Sequence, residues 1–189
     1  MADYYEVAIA GIGGQGALTI GRLLAEAGAG RYNYVSYFPN YGSSMRGGDT
    51  ECTVILSQQP ISTPAMLGPE AAIIMGELPF LEYNGRVAPG GLLLVDSSLL
   101  SEKAERKDLQ ALYIPASDTA IGLGNRQVAN LVLLGAYVEA TRAVPIAAIQ
   151  DALKERLAGG RREGLLELNQ RALEEGARLT RISFRLEIG

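Results

Sequence analysis

The chain has 189 residues, 48% of them hydrophobic and 20% charged, which suits one domain over 1–189 with a continuous core and leaves little room for a second. Its 17 basic and 21 acidic residues give a net charge of −4, so no broad basic surface is available for nucleic acid. With no histidine and one cysteine, Cys52, the chain cannot build a His-containing catalytic triad, a His-ligated zinc site, an internal disulfide or a four-thiolate iron–sulfur cage of its own.

Tyr5–Ala10 is short, apolar and β-like, and it runs straight into Gly11-Ile-Gly-Gly-Gln-Gly16. Ala17, Leu18, Ile20, Leu23, Leu24 and Ala27 then recur at helical spacing, with Gly28 and Gly30 marking the end. The spacing predicts a strand, a tight glycine turn and a helix. Tyr34–Phe38 is a second strand candidate, and a long loop is expected from Pro39 to Gly48 because turn formers crowd that stretch. Thr50–Ser57, rich in β-branched residues, follows as a strand, with Cys52 inside it as a small buried hydrophobe rather than a nucleophile.

Ala71–Met75 and Leu92–Val95 are two short aliphatic strands separated by a helix over Leu78–Asn84, and Leu112–Pro115 is a further strand. Helices are then expected over Ser117–Leu123, Val128–Thr141, Pro145–Leu157 and Gly164–Leu179. Thr180–Ile188 alternates apolar and polar residues and reads as a last strand or a docking tail. Strands interleaved with helices predict a three-layer α/β/α sandwich with a parallel or mixed sheet. The longest apolar runs fall far short of the ~20 residues that span a bilayer. The N-terminus has no basic region followed by an apolar stretch, so a cytoplasmic location is expected.

Three segments carry candidate function. Gly11, Gly13 and Gly16 fit G-x-G-x-x-G, with Gly14 and Gln15 inside the turn. Glycines there allow a tight turn, a close approach of phosphate to a helix N-terminus, or docking of another polypeptide onto the Gln15 amide. A nicotinamide site is disfavoured because no Asp or Glu lies between Glu26 and Asp49 to hold a ribose. In Tyr41-Gly-Ser-Ser-Met-Arg-Gly-Gly48, Arg46 beside Gly47 and Gly48 either reaches a carboxylate or phosphate bidentately or is a solvated loop arginine. In Leu123–Tyr137, Asn125 is placed to cap a helix, and Gly135 inside that helix implies a close approach of another backbone.

Taken in order, GIGGQG at 11–16, YGSSMRGG at 41–48 with TECTVILS, GNRQVANLVLLGA at 124–136 and LNQRALEEG at 168–176 resemble the gamma subunit of 2-oxoacid:ferredoxin (2-oxoacid:acceptor) oxidoreductases. That subunit is the counterpart of domain III in single-chain pyruvate:ferredoxin oxidoreductase, and the resemblance spans nearly the whole chain. It implies the domain III fold and a place in a complex with sister alpha, beta and in some cases delta subunits. That complex converts a 2-oxoacid and coenzyme A to an acyl-CoA and carbon dioxide, reducing ferredoxin. Thiamine diphosphate, Mg2+ and iron–sulfur clusters would reside in the sister chains, with no cofactor held by this one. The resemblance places Gly11–Gly16 and Tyr41–Gly48 toward those chains near the active-site cleft, with 2-oxoglutarate as the leading substrate. Where the family carries Pro-Glu, this chain has Ser43-Ser44, a change that bears on substrate or partner preference. The alternatives are a free-standing nucleotide- or coenzyme A-binding module built on the glycine turn, or an independent flavin or nicotinamide oxidoreductase.

Overall fold

The computed structural model describes residues 3–41, 49–62, 68–100, 103–158 and 163–188. Among these residues six strands form one mixed sheet: β1 (Tyr4–Ile12), β2 (Tyr34–Tyr41), β3 (Asp49–Ser57), β4 (Ala71–Met75), β5 (Leu92–Asp96) and β6 (Gln110–Ile114), in the order β2-β3-β1-β4-β5-β6. β3 is antiparallel to both β1 and β2, whereas β1, β4, β5 and β6 are mutually parallel. β4 (AAIIM) and β5 (LLLVD) are buried at every residue, the continuous apolar pattern of strands covered on both faces.

Among the described residues, six helices connect and cover the sheet: α1 (Ala17–Gly28), α2 (Glu77–Arg86), α3 (Ala116–Gly122), α4 (Ala129–Thr141), α5 (Ile146–Leu157) and α6 (Glu163–Ile188). Alternation along β1 divides the core between the two faces. Val7 and Ile9 point into a large cluster shared with α1, α4, α5 and α6, while Ala8 and Ala10 point into a smaller one under Phe80 and Tyr83 of α2. The result is the expected α/β/α sandwich with a mixed sheet, thick on one side and thin on the other.

The packing of α4 on α6 fixes the thick layer. A Cβ added at Gly135 would overlap the Leu173 carbonyl oxygen, and one added at Gly176 would overlap that of Val132. The two backbones therefore meet at this pair of glycines, which bears out the close approach expected at Gly135. Thr180, fully buried, donates its hydroxyl to Gly176 O at 3.1 Å and Ala136 O at 3.4 Å. Glu139 then receives Arg142 at 2.6 Å and Arg181 at 3.0 Å.

These contacts correct one expectation. Thr180–Ile188 is neither a strand nor a separate tail, because α6 continues through Ile188. Ile182 and Leu186, four apart, fit helical as well as alternating spacing, and docking on α4 outweighs the β-preference of Thr180 and Ile182. A smaller correction concerns the loop expected from Pro39. β2 runs on to Tyr41, pairing Pro39 with Cys52, and proline is tolerated because β2 is an edge strand. Cys52 is buried as expected, and burial pushes its thiol up to about 12.

Candidate functional site

The parallel strands β1, β4 and β5 end at one edge of the sheet, where polar backbone and side chains collect above an apolar floor. There the glycine turn closes on itself. Ile12 N–H donates to Gln15 Oε1 at 2.6 Å, and Gln15 N–H donates to Ile12 O at 3.1 Å. Gly14 and Gly16 hold φ of 98° and 84°, a left-handed backbone that glycine adopts without Cβ strain. Gly16 is also the N-cap of α1, and a Cβ on it would strike the Asn130 amide, whose Nδ2 donates to Gly16 O at 3.3 Å. The glycines thus provide both a permitted turn and direct contact with α4. The Gln15 oxygen is spent inside the turn rather than offered outward.

Beside the turn lies a cavity of about 320 Å³ lined by Gly13, Gly14, Gln15, Met75, Asp96, Leu99, Ser117, Arg126, Gln127, Ala129, Asn130 and Leu133. Met75, Leu99 and Leu133 supply apolar walls. Its two helix N-termini differ in electrostatic character. Asp96, 1% exposed at the end of β5, accepts from Ala116 N–H at 3.0 Å, Ser117 N–H at 3.2 Å and Ser98 N–H at 3.1 Å, and from the Ser117 hydroxyl at 2.6 Å. The start of α3 is therefore already occupied by an internal carboxylate. The start of α1, which follows directly on the cavity-lining Gly13, Gly14 and Gln15, has no side-chain cap and no acidic residue in its first turn, so no side chain neutralises the positive end of this 12-residue helix. Arg126, exposed and in no ion pair among the described residues, lines the same cavity. This arrangement favours an anion between the glycine turn and Arg126 and disfavours one beside Asp96.

Of the residues expected to matter, Gly13, Gly14 and Gln15 line the cavity, while Gly11 and Gly16 shape its turn. Tyr41 ends β2 opposite Thr50, which in turn faces Gly11, so the second motif starts at the same sheet edge, roughly 10 Å away. Arg46, Gly47, Gly48 and the Ser43-Ser44 pair lie outside the described residues. Asn125 does not line the cavity. Its Oδ1 accepts from Gln127 N–H at 2.9 Å and caps a single 3-10 turn, Arg126–Val128, ahead of α4. Sequence reasoning missed Asp96, Ser117, Arg126 and Asn130. A signal existed for Asp96, a polar residue closing the aliphatic run LLLV at a strand's carboxyl end. Arg126 and Asn130 belonged to a segment explained by capping and packing alone.

Residues 6–179 match the family model for pyruvate ferredoxin/flavodoxin oxidoreductase. The chain is 32% identical over 184 residues to the 2-oxoglutarate synthase subunit KorC of Methanothermobacter thermautotrophicus, covering 92% of this chain and 97% of that one. It is also 32% identical over 176 residues to the ketoisovalerate oxidoreductase subunit VorA of the same organism, covering 93% of this chain and 36% of the relative, so it spans about a third of that longer protein. Among solved structures, the gamma subunit of a keto/oxoacid ferredoxin oxidoreductase from Geobacter sulfurreducens superposes with a TM-score of 0.81 at 30% identity, covering 95% and 97% of the two chains.

Proposed function

Because the chain belongs to the pyruvate ferredoxin/flavodoxin oxidoreductase family, we propose that it serves as the gamma subunit of a 2-oxoacid:ferredoxin oxidoreductase, binding and positioning rather than carrying the redox chemistry. The one cysteine is buried and the chain has no histidine, which leaves no ligand set for an iron–sulfur cluster. Thiamine diphosphate with Mg2+ and the clusters are assigned to sister subunits, where they supply decarboxylation and electron transfer to ferredoxin. The role of this chain is to close the cleft they share and to hold part of the coenzyme A that accepts the acyl group.

The observation that carries this role is the asymmetry of the cavity at the glycine turn. Its uncapped α1 terminus and Arg126 attract the phosphates of coenzyme A, and Met75, Leu99 and Leu133 accept less polar parts of the same molecule. A volume of about 320 Å³ is at the low end of the ~300–1,000 Å³ of ligand pockets. That suits a fragment of the coenzyme, with the rest against the sister chains. The similarity to KorC over nearly the full length of both chains supports 2-oxoglutarate as the oxoacid.

Kinetics of the assembled complex test both parts. 2-Oxoglutarate is expected to turn over faster than pyruvate or 3-methyl-2-oxobutanoate; preference for either of the others refutes the substrate assignment. Arg126→Ala is expected to raise the KM for coenzyme A about tenfold, the worth of one charge-assisted hydrogen bond, with a smaller effect on kcat. An unchanged KM removes the cavity from coenzyme binding.

A further inference from the structure

Six of the nine large hydrophobic side chains left exposed among the described residues lie on one side of the sheet: Tyr4, Ile12, Tyr34, Phe38, Leu78 and Leu81. The strand register puts the first four there. Tyr4 and Tyr34 both face Ser57 from opposite sides, and Phe38 pairs with Thr53, all on the α2 side of the alternation that sends Val7, Ile9, Cys52 and Val54 into the thick layer. Leu78 and Leu81, at 64% and 61% exposure, sit one helical turn apart on the outer surface of α2, opposite Phe80 and Tyr83, which are buried against the sheet. Scattered exposed apolar residues are ordinary, but concentration on one face marks an interaction surface. α2 packs mainly on β4 and is the only helix assigned to this side among the described residues.

The charges on this side decide what kind of partner fits. Glu6 and Glu51 belong to it by register, Glu70, just ahead of β4, is near enough to Glu6 to feel its charge, and none of the three makes an ion pair among the described residues. Glu82 is already paired with Arg86. Burial, then the neighbouring Glu6 carboxylate, hold Glu70 above its ordinary range, so the acids crowd one another. A second copy docked about a two-fold axis would set these three carboxylates against their own equivalents. A partner with basic residues around an apolar patch would pair with them instead.

Resting on the gamma-subunit reading, we infer that the α2 side of the sheet, centred on Leu78, Leu81 and Phe38, is the surface on which a sister subunit docks through an apolar patch ringed by lysine or arginine. The surface continues to the coenzyme cavity. Ile12, inside the glycine turn, reaches the start of α2, where its side chain lies 3.9 Å from the position of a Gly76 Cβ. A partner seated there would border the cavity mouth without any further movement of the chain.

The test is co-expression of the tagged full-length chain with the alpha and beta chains of its complex, followed by tag purification and quantitation of the partners. The double substitution Leu78→Asp, Leu81→Asp is expected to cut partner recovery by roughly tenfold or more while leaving the thermal transition of the isolated chain in place. Leu165→Asp, on α6 in the opposite layer, is expected to leave recovery unchanged. Full recovery with the double variant overturns this surface alone, because the wild-type complex still forms. Failure of the wild-type chain to recover either partner overturns the gamma-subunit reading and the surface with it. A wild-type dimer in sedimentation that the double variant converts to monomer overturns the sister-subunit assignment in favour of self-association.

Discussion

Replacing Gly176 or Gly135 with alanine is expected to destabilise the chain by about 3 kcal/mol, the upper end of what overpacking costs, lowering the thermal midpoint by roughly 6–12 °C for a protein of this size. The sign matters more than the magnitude. Both glycines lie inside helices, where alanine is ordinarily better by about 1 kcal/mol. Here an added methyl group has no space, because it would overlap the carbonyl oxygen of Val132 or Leu173 on the facing helix. Relief requires α4 and α6 to separate along the whole crossing. That separation would strain the Thr180 hydrogen bond to Ala136 and the Glu139–Arg181 ion pair. Thermal denaturation followed by circular dichroism reads the effect, and a variant as stable as wild type would mean that the helices are not in backbone contact.

Asp96→Ala is the second large effect expected, again about 3 kcal/mol, because it strips the acceptor from three backbone N–H groups and the Ser117 hydroxyl in a buried setting. Asp96→Asn should cost far less. Its retained oxygen can still accept from Ser98, Ala116 and Ser117 N–H, and the Ser117 hydroxyl can reverse and accept from the new amide. The pair of variants separates a hydrogen-bonding role from a charge role. In the assembled complex the asparagine variant also removes the negative charge at the cavity proposed to bind coenzyme A, so its KM for coenzyme A should fall or hold steady. A rise would contradict the placement of the anion on the Arg126 side.

Much of this architecture was legible in the sequence. β1, the glycine turn and α1 follow from one apolar run, three glycines and a helical repeat, and the aliphatic strands β4 and β5 from continuous hydrophobicity. Gly135 announced a close contact, although not its partner on α6, since nothing local identifies Leu173 as the residue that will face it. Two kinds of information were out of reach. Tertiary docking decided the fate of Thr180–Ile188, where alternation and helical spacing coincide. The cavity is assembled from the ends of β1, β4 and β5 and the start of α4, so its polar members are distant in sequence. Arg126 looked like part of a capped helix start, and Asp96 like the end of a strand. Only the sheet order β1-β4-β5 brings them to the glycine turn.

The central claim, that this chain is one subunit of a 2-oxoacid:ferredoxin oxidoreductase, is tested most directly by purifying the tagged chain from its native source. Partners are identified by mass spectrometry, and thiamine and iron are assayed in the same fraction. Stoichiometric recovery of larger chains together with thiamine and iron is the result predicted, and the identity of those chains narrows the oxoacid. A chain recovered alone, carrying a bound nucleotide and neither thiamine nor iron, would contradict the claim in favour of a free-standing binding module.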